Sequence, residues 1–158
     1  MKRYIKARVD DVLNAERWLQ EEIAADIVNP EDLDRLARVN PKDYMLCYAV
    51  ACNPNTELKT LKYLADNNAR YVRRAVACHP NSDLDILWKL SDDDDDGTLS
   101  ALVSNPNTPD DILKKIADSD KINAKIDALK RLGFEITTDN LGYIKINGKD
   151  FNMYERYV

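Results

Sequence analysis

"CYAVACNPNTELKTLKYL" (Cys47–Leu64) returns as "RRAVACHPNSDLDILWKL" (Arg73–Leu90) and again as "LSALVSNPNTPDDILKKI" (Leu99–Ile116). The dipeptides Asn53-Pro54, His79-Pro80 and Asn105-Pro106 keep the same interval. Asn29-Pro30 stands slightly closer to the first of them and reads as the anchor of a shortened, degenerate unit. Self-similarity at a fixed period, here about 26 residues, is the mark of a stacked repeat. A single unit this short cannot bury its own apolar face, whereas stacked neighbours can, so the expected architecture is an α-solenoid of short helical repeats.

Within each unit the spacing predicts two short helices. Thr56, Ser82 and Thr108 follow the anchors and are expected as N-caps, their hydroxyls accepting from the next turn. Pro109 is expected at the first helical position, and Asp85 and Asp111 as the acidic partners of a capping box. Leu61, Leu87 and Leu113, then Leu64, Leu90 and Ile116, then Ala65, Ser91 and Ala117, form the inward stripe of the first helix. The second helix carries Leu46, Val72 and Thr98, then Ala49, Ala75 and Ala101, then Val50, Val76 and Leu102. The recurring alanine predicts a close helix approach. The helix should stop at the anchor, because proline cannot continue it and restrains the residue before it.

"YVRRAVACHPNSDLDILWKLSDD" and "ALVSNPNTPDDILKKIADSD" resemble the leucine-rich repeat variant family, with its V-R-x-A-V-A-x-N-P-x-T-P-x-x-L-x-x-L-A-x-D pattern. The resemblance covers about half of the chain, from Tyr44 to Asp120. It implies a right-handed superhelix of short α and 3₁₀ helices, similar to armadillo and HEAT arrays. "DDDDDG" (Asp92–Gly97) departs from the Val-Arg helix start of that pattern. The cysteine-rich segment of one iron–sulfur member has no counterpart here, so no cluster is carried over.

The ends follow other rules. Val9 to Ala25 places Val12, Leu13, Ala15, Leu19 and Ile23 at near-helical spacing and is expected as a capping helix. Ile122 to Leu132 reads as a last helix, with Gly133 as its left-handed stop. After that, period-two alternation and Asn147-Gly148 predict an antiparallel β-meander, with strands near Phe134–Thr137, Tyr143–Ile146 and Lys149–Tyr154. The expected division is 1–28 as N-terminal cap, 29–132 as repeat solenoid and 133–158 as β appendage.

Of the 158 residues, 44% are hydrophobic and 32% charged, with a net charge of -5. Residues 1–79 sum to +1, 80–120 to -8 and 121–158 to +2. This balance argues against wholesale affinity for nucleic acid or anionic membrane, which needs a basic footprint. No apolar run is long enough to span a membrane. The three cysteines, odd in number and not densely spaced, predict reduced thiols and a cytoplasmic setting.

Chemistry has little to stand on. His79 is the single histidine and occupies an anchor position, where a helix-end hydrogen bond is expected of it. Phosphate-binding, dinucleotide and nucleophile-elbow motifs are absent. Cys52, Cys78 and Ser104 share one column and are expected as small, half-buried filler. Asp92–Asp96 is expected as a solvated turn that caps the helix after it. No cofactor, metal or catalytic residue is expected. Superposed units do show one repeated surface feature. Lys62, Trp88 and Lys114 align, as do Tyr63, Lys89 and Lys115, and Arg73 and Arg74 add positive charge on the companion helix. These eight residues are the expected contact surface of a non-enzymatic scaffold that binds an unidentified protein through an acidic segment. The C-terminal strands offer a route to oligomerisation. A nucleic-acid-binding, HEAT-like module is the alternative.

Overall fold

A computed structural model describes residues 9–15, 20, 22, 24–138, 144–146 and 149–151. The chain is mainly helical. The helices whose bounds fall within the described residues are, in order, α1 (Val9–Asn14), α2 (Pro30–Val39), α3 (Tyr44–Cys52), α4 (Leu58–Leu64), α5 (Arg70–Cys78), α6 (Leu84–Leu90), α7 (Asp96–Ser104), α8 (Asp110–Ala117) and α9 (Ile122–Arg131). Helices α3, α5 and α7 begin one repeat period apart, as do α4, α6 and α8. The companion helices stack in sequence, α3 on α5, α5 on α7 and α7 on α9, while α4 and α6 lean on α5 and α7. No residue from 55 to 120 is in a strand.

The leucine columns form the core. Leu61, Leu87, Leu113, Leu64, Leu90 and Ile116 are all buried, as are Val50, Val76 and Leu102. Two columns not anticipated join them. One is Thr60, Ile86 and Ile112; the other is Ala51, Ala77 and Val103. Buried leucine or isoleucine side chains contribute about 1.5–3 kcal/mol each relative to exposure, so these columns are the main cohesion between units. Ala49 and Ala101 are buried as the close-approach reading requires, but Ala75 only packs against the edge of the core.

The hydroxyls do not cap. Thr56, Ser82 and Thr108 instead donate backward, to the carbonyls of Val50, Val76 and Leu102, at 2.6, 2.6 and 2.7 Å. Each of these carbonyls already accepts from the amide of its anchor residue, Asn53, His79 or Asn105, and its second lone pair satisfies the buried hydroxyl that follows the anchor. The N-cap of α6 is Asp83, whose carboxylate accepts from the Ile86 amide at 3.0 Å. At α8 the cap position is Pro109 itself, just before its expected place inside the helix. Asp85 and Asp111 form no capping box. They lie 3.0 Å from Lys62 Nζ and 3.3 Å from Lys114 Nζ respectively.

At the N-terminal side, α1 ends at Asn14, so Val9–Ala25 is not one unbroken helix; Leu19 and Ile23 lie outside the described residues. Val12 is buried, whereas Leu13 is an exposed position. At the other end Gly133 has φ 87°, the left-handed value that stops α9 at low cost without a Cβ. Extended segments at Ile136–Thr138, Ile144–Ile146 and Lys149–Phe151 pair antiparallel in chain order. The connections between them, and the residues after Phe151, lie outside the described residues.

Candidate binding surfaces

The anchors form a hydrogen-bonded ladder that runs through the units. Proline at the next position holds Asn53, His79 and Asn105 in extended backbone, with ψ of 124°, 133° and 122°. Each side chain then reaches the unit before it. Asn53 Nδ2 donates to the Ile27 carbonyl at 3.0 Å, and Asn105 Nδ2 to the His79 carbonyl at 3.2 Å. Asn53 Oδ1 and Asn105 Oδ1 accept from the amides of Asn55 and Asn107, at 2.8 and 2.9 Å. His79 reproduces this pattern with a ring. Its Nδ1 accepts from the Asn81 amide at 3.1 Å, which places the ring hydrogen on Nε2, 3.0 Å from the Asn53 carbonyl. The expectation of a helix-end hydrogen-bonding histidine therefore holds in a specific form: His79 is an asparagine substitute within the ladder.

The ladder's rungs are Ile27, Asn53, His79, Asn105 and Arg131, evenly spaced along the chain. The first carbonyl belongs to Ile27, not Asn29. Asn29 instead caps α2 by accepting from the Glu31 amide at 3.0 Å, with Pro30 as the first helical residue. At the far end Arg131 closes the ladder. Its guanidinium donates to the carbonyls of Val103 and Asn105, the latter at 2.6 Å, and to those of Pro106 and Thr108 at 3.2 and 3.1 Å. Arg131 was not singled out from the sequence because it shares no residue type with the anchors. Its place one full period after Asn105 was the available signal.

The expected contact ridge takes shape as a row of ion pairs. Lys62 Nζ lies 2.9 Å from Asp83, Lys89 Nζ 2.6 Å from Asp66, and Lys115 Nζ 2.7 Å from Asp92, all in adjoining units. Lys114 pairs within its own helix with Asp111. Trp88 is 43% exposed, and Lys115 Nζ sits 5.6 Å from its ring centroid. Tyr63 is half-buried beneath the Arg38 guanidinium, 4.3 Å away. Arg73 and Arg74 point elsewhere, into the acidic turn. Arg73 is bidentate to Asp93 at 2.5 and 2.9 Å and also donates to the carbonyls of Asn67 and Asn68. Arg74 is bidentate to Asp95 at 2.7 and 2.8 Å. The structure thus brings Lys62, Lys89, Lys114 and Lys115 onto helices α4, α6 and α8, but leaves them charge-compensated. Such exposed pairs are worth about 0–1 kcal/mol each, and they leave little net field to steer an acidic ligand.

The turn Asp92–Asp96 is not merely solvated. Asp93 is buried against Arg73, while Asp95 caps α7 through the Thr98 amide at 2.8 Å. Asp96 accepts from the Ala124 amide at 3.0 Å and from Asn123 at 2.7 Å, tying α7 to α9. The Arg74 guanidinium holds the Asp95 carboxyl well below the usual range. Burial alone would raise Asp93, but the Arg73 hydrogen bonds and the Asp95 amide outweigh it and the net direction is down. The Arg74–Asp95 pair also explains Gly97: a Cβ there would come within 2.2–2.4 Å of the guanidinium. Among the described residues, no three histidine, cysteine or acidic side chains group in a way that could hold a metal ion. No helix among them is long and apolar enough to cross a membrane.

A different surface lies on the companion helices. Between α3 and α5 runs a groove of about 650 Å³. Its walls are Met45, Tyr48, Ala51 and Cys52 on one side and Tyr71, Arg74, Ala75 and Cys78 on the other, with His79 and Pro80 at one end. Met45 is 40% and Tyr48 37% exposed, and the rings of Tyr48 and Tyr71 meet edge to face at 5.9 Å. Cys52 and Cys78 are exposed, so the filler reading of that column is corrected. Cys52 and Cys78 face the groove because they fall on the outer side of the stacked helices, where Ser104 is exposed as well. The groove walls still desolvate the sulfurs, and burial pushes both thiols up. Cys47, by contrast, is inside the core. The i, i+3, i+7 spacing of Met45, Tyr48 and Cys52, repeated at Tyr71, Arg74 and Cys78, was the sequence signal for this face. In comparisons with known proteins, no family model, no curated protein and no solved structure matched this chain.

Proposed function

We propose that this chain is a non-enzymatic scaffold that binds a segment of another protein, and that the groove between α3 and α5 is the contact surface. We read the whole as a right-handed α-solenoid of the leucine-rich repeat variant kind, closed by a small C-terminal β-meander. The evenly spaced ladder and the stacking of α3, α5, α7 and α9 support that reading. The observation that carries the function is the groove itself. It is apolar, it runs between stacked units, and it leaves Met45 and Tyr48 partly uncovered. Large apolar side chains left in contact with water on a repeat surface mark an interaction site.

The lysine ridge is the weaker candidate because its charges are already paired with Asp66, Asp83, Asp92 and Asp111. The same pairing, with the net charge of -5, speaks against the nucleic-acid alternative. A peptide-display selection on the full chain separates the surfaces. Peptides selected on the natural sequence are re-tested on Met45→Glu and on the double variant Lys89→Glu, Lys115→Glu. Loss on Met45→Glu with retention on the lysine variant is the expected result. The reverse pattern would return the function to the ridge, and capture by heparin that survives physiological salt would favour nucleic acid.

A further inference from the structure

We propose, on the basis of that groove assignment, that the occupant is a protein segment whose apolar anchors are flanked by a carboxylate, which meets Arg70. Among the described residues, the walls supply no acidic side chain. The charged group among the described lining residues, Arg74, has its guanidinium held by both oxygens of Asp95. Both nitrogens of His79 are engaged with backbone, so the groove end presents no free imidazole edge. One turn before Arg74 on the same helix face stands Arg70. It is exposed and has no carboxylate partner among the described residues. The apolar lining is thus followed, one turn toward the start of α5 and outside the lining itself, by a positive charge with no carboxylate partner among the described residues, whereas the cations of the lysine ridge are compensated.

The interior also bears on the kind of ligand. Among the described residues, no buried side-chain nitrogen or oxygen lacks a hydrogen-bond partner. A small polar molecule is normally fixed by a few convergent polar groups inside its pocket. Here nothing buried waits for such a molecule, and recognition must come from apolar contact plus charge at the edge. Two parallel rows of side chains at helical spacing, Met45, Tyr48 and Cys52 against Tyr71, Ala75 and Cys78, suit anchors presented by one face of a bound segment. Rim charges mainly set orientation and selectivity, so the carboxylate should decide which apolar segments are accepted.

The test uses the full chain and three synthetic, fluorescein-labelled peptides of about 16 residues, long enough to form a helix when bound. The first carries leucine and phenylalanine at i, i+3, i+4 and i+7 with glutamates beside them. The second replaces each glutamate by lysine. The third keeps the glutamates and replaces the anchors by serine. Fluorescence anisotropy should show the first binding about tenfold tighter than the third, and about three- to tenfold tighter than the second at low salt. Arg70→Glu should invert the preference between the first two. Met45→Glu, at an exposed position, should weaken the first peptide about tenfold with its circular dichroism unchanged. Should the first two peptides bind equally to the natural sequence and both be lost on Met45→Glu, the carboxylate inference is overturned while the groove stands. Should the first peptide fail to bind, or bind Met45→Glu as well as the natural sequence, the groove assignment and the inference fall together.

Discussion

The five aspartates from Asp92 to Asp96 share a residue type and a turn, yet the structure gives them unequal tasks, and a series of single alanine substitutions should expose the difference. Asp93 is the extreme case. Its side chain is 4% exposed and that of Arg73 only 17%. Removing Asp93 takes away both charge-assisted bonds of this enclosed pair and leaves Arg73 with the exposed Asp94 and two backbone carbonyls, at a cost of about 2–4 kcal/mol. Asp95→Ala removes an N-cap worth about 1 kcal/mol. It also removes the bidentate partner of Arg74, which is 43% exposed, so solvent screening holds that part to about 1 kcal/mol. Asp96→Ala breaks two bonds to α9 that water can partly replace, at about 1 kcal/mol. Asp92→Ala loses only the exposed pair with Lys115, below about 1 kcal/mol. Asp94, with its side chain 93% exposed, loses only a 3.3 Å contact with Arg73, below about 0.5 kcal/mol. Urea denaturation followed by circular dichroism gives the ranking, and thermal midpoints should fall by about 2–4 °C per kcal/mol for a chain of this size. Equal losses for Asp93→Ala and Asp94→Ala would refute the reasoning, since it assigns the stability to particular pairs and not to turn charge as such.

The other expectations can be checked with the same assay. His79→Asn should change stability by less than about 1 kcal/mol, because both rungs survive, whereas His79→Leu orphans the Asn81 amide, leaves the Asn53 carbonyl with the Thr56 amide alone, and should cost about 1–3 kcal/mol. Arg131→Met removes the donors that close the ladder while keeping the stem, and should cost about 1–3 kcal/mol; an unchanged midpoint would show that water caps that end as well. Gly97→Ala should show strong coupling in a double-mutant cycle with Arg74→Met, gaining about 0.5–1 kcal/mol from helix propensity only when the guanidinium is absent. Stability should decline as pH falls below the ordinary aspartate value of 3.8, because Asp93 and Asp95 sit below it in the folded state. The unfolded chain then binds protons first, so their contribution is complete above that value and lost as pH drops through the folded ones. Substituting Asp93 and Asp95 together should flatten this acid limb, and a profile of the same steepness in the double variant would contradict the assignment.

What the sequence determined by itself was everything governed by chain-local rules or by the repeat period. The prolines after Asn53, His79 and Asn105 end helices wherever they occur. Leucines at helical spacing must turn inward, and Leu61, Leu87 and Leu113 did. The glycine at 133 could be read as a left-handed stop from its place alone. Choices among several available partners were decided only by the tertiary structure. A threonine after an anchor can cap forward or donate backward; burial of Thr56 beside the Val50 carbonyl, which has a second lone pair beyond the Asn53 amide, sends its hydroxyl backward. An alanine in a repeated column can be a helix contact or a groove wall; Ala49 and Ala101 became the first and Ala75 the second. A lysine on an outward face reads as free charge until the neighbouring unit places Asp66 beside Lys89. Each of these outcomes depends on a few ångströms of relative placement between helices, a distance that spacing along the chain does not encode.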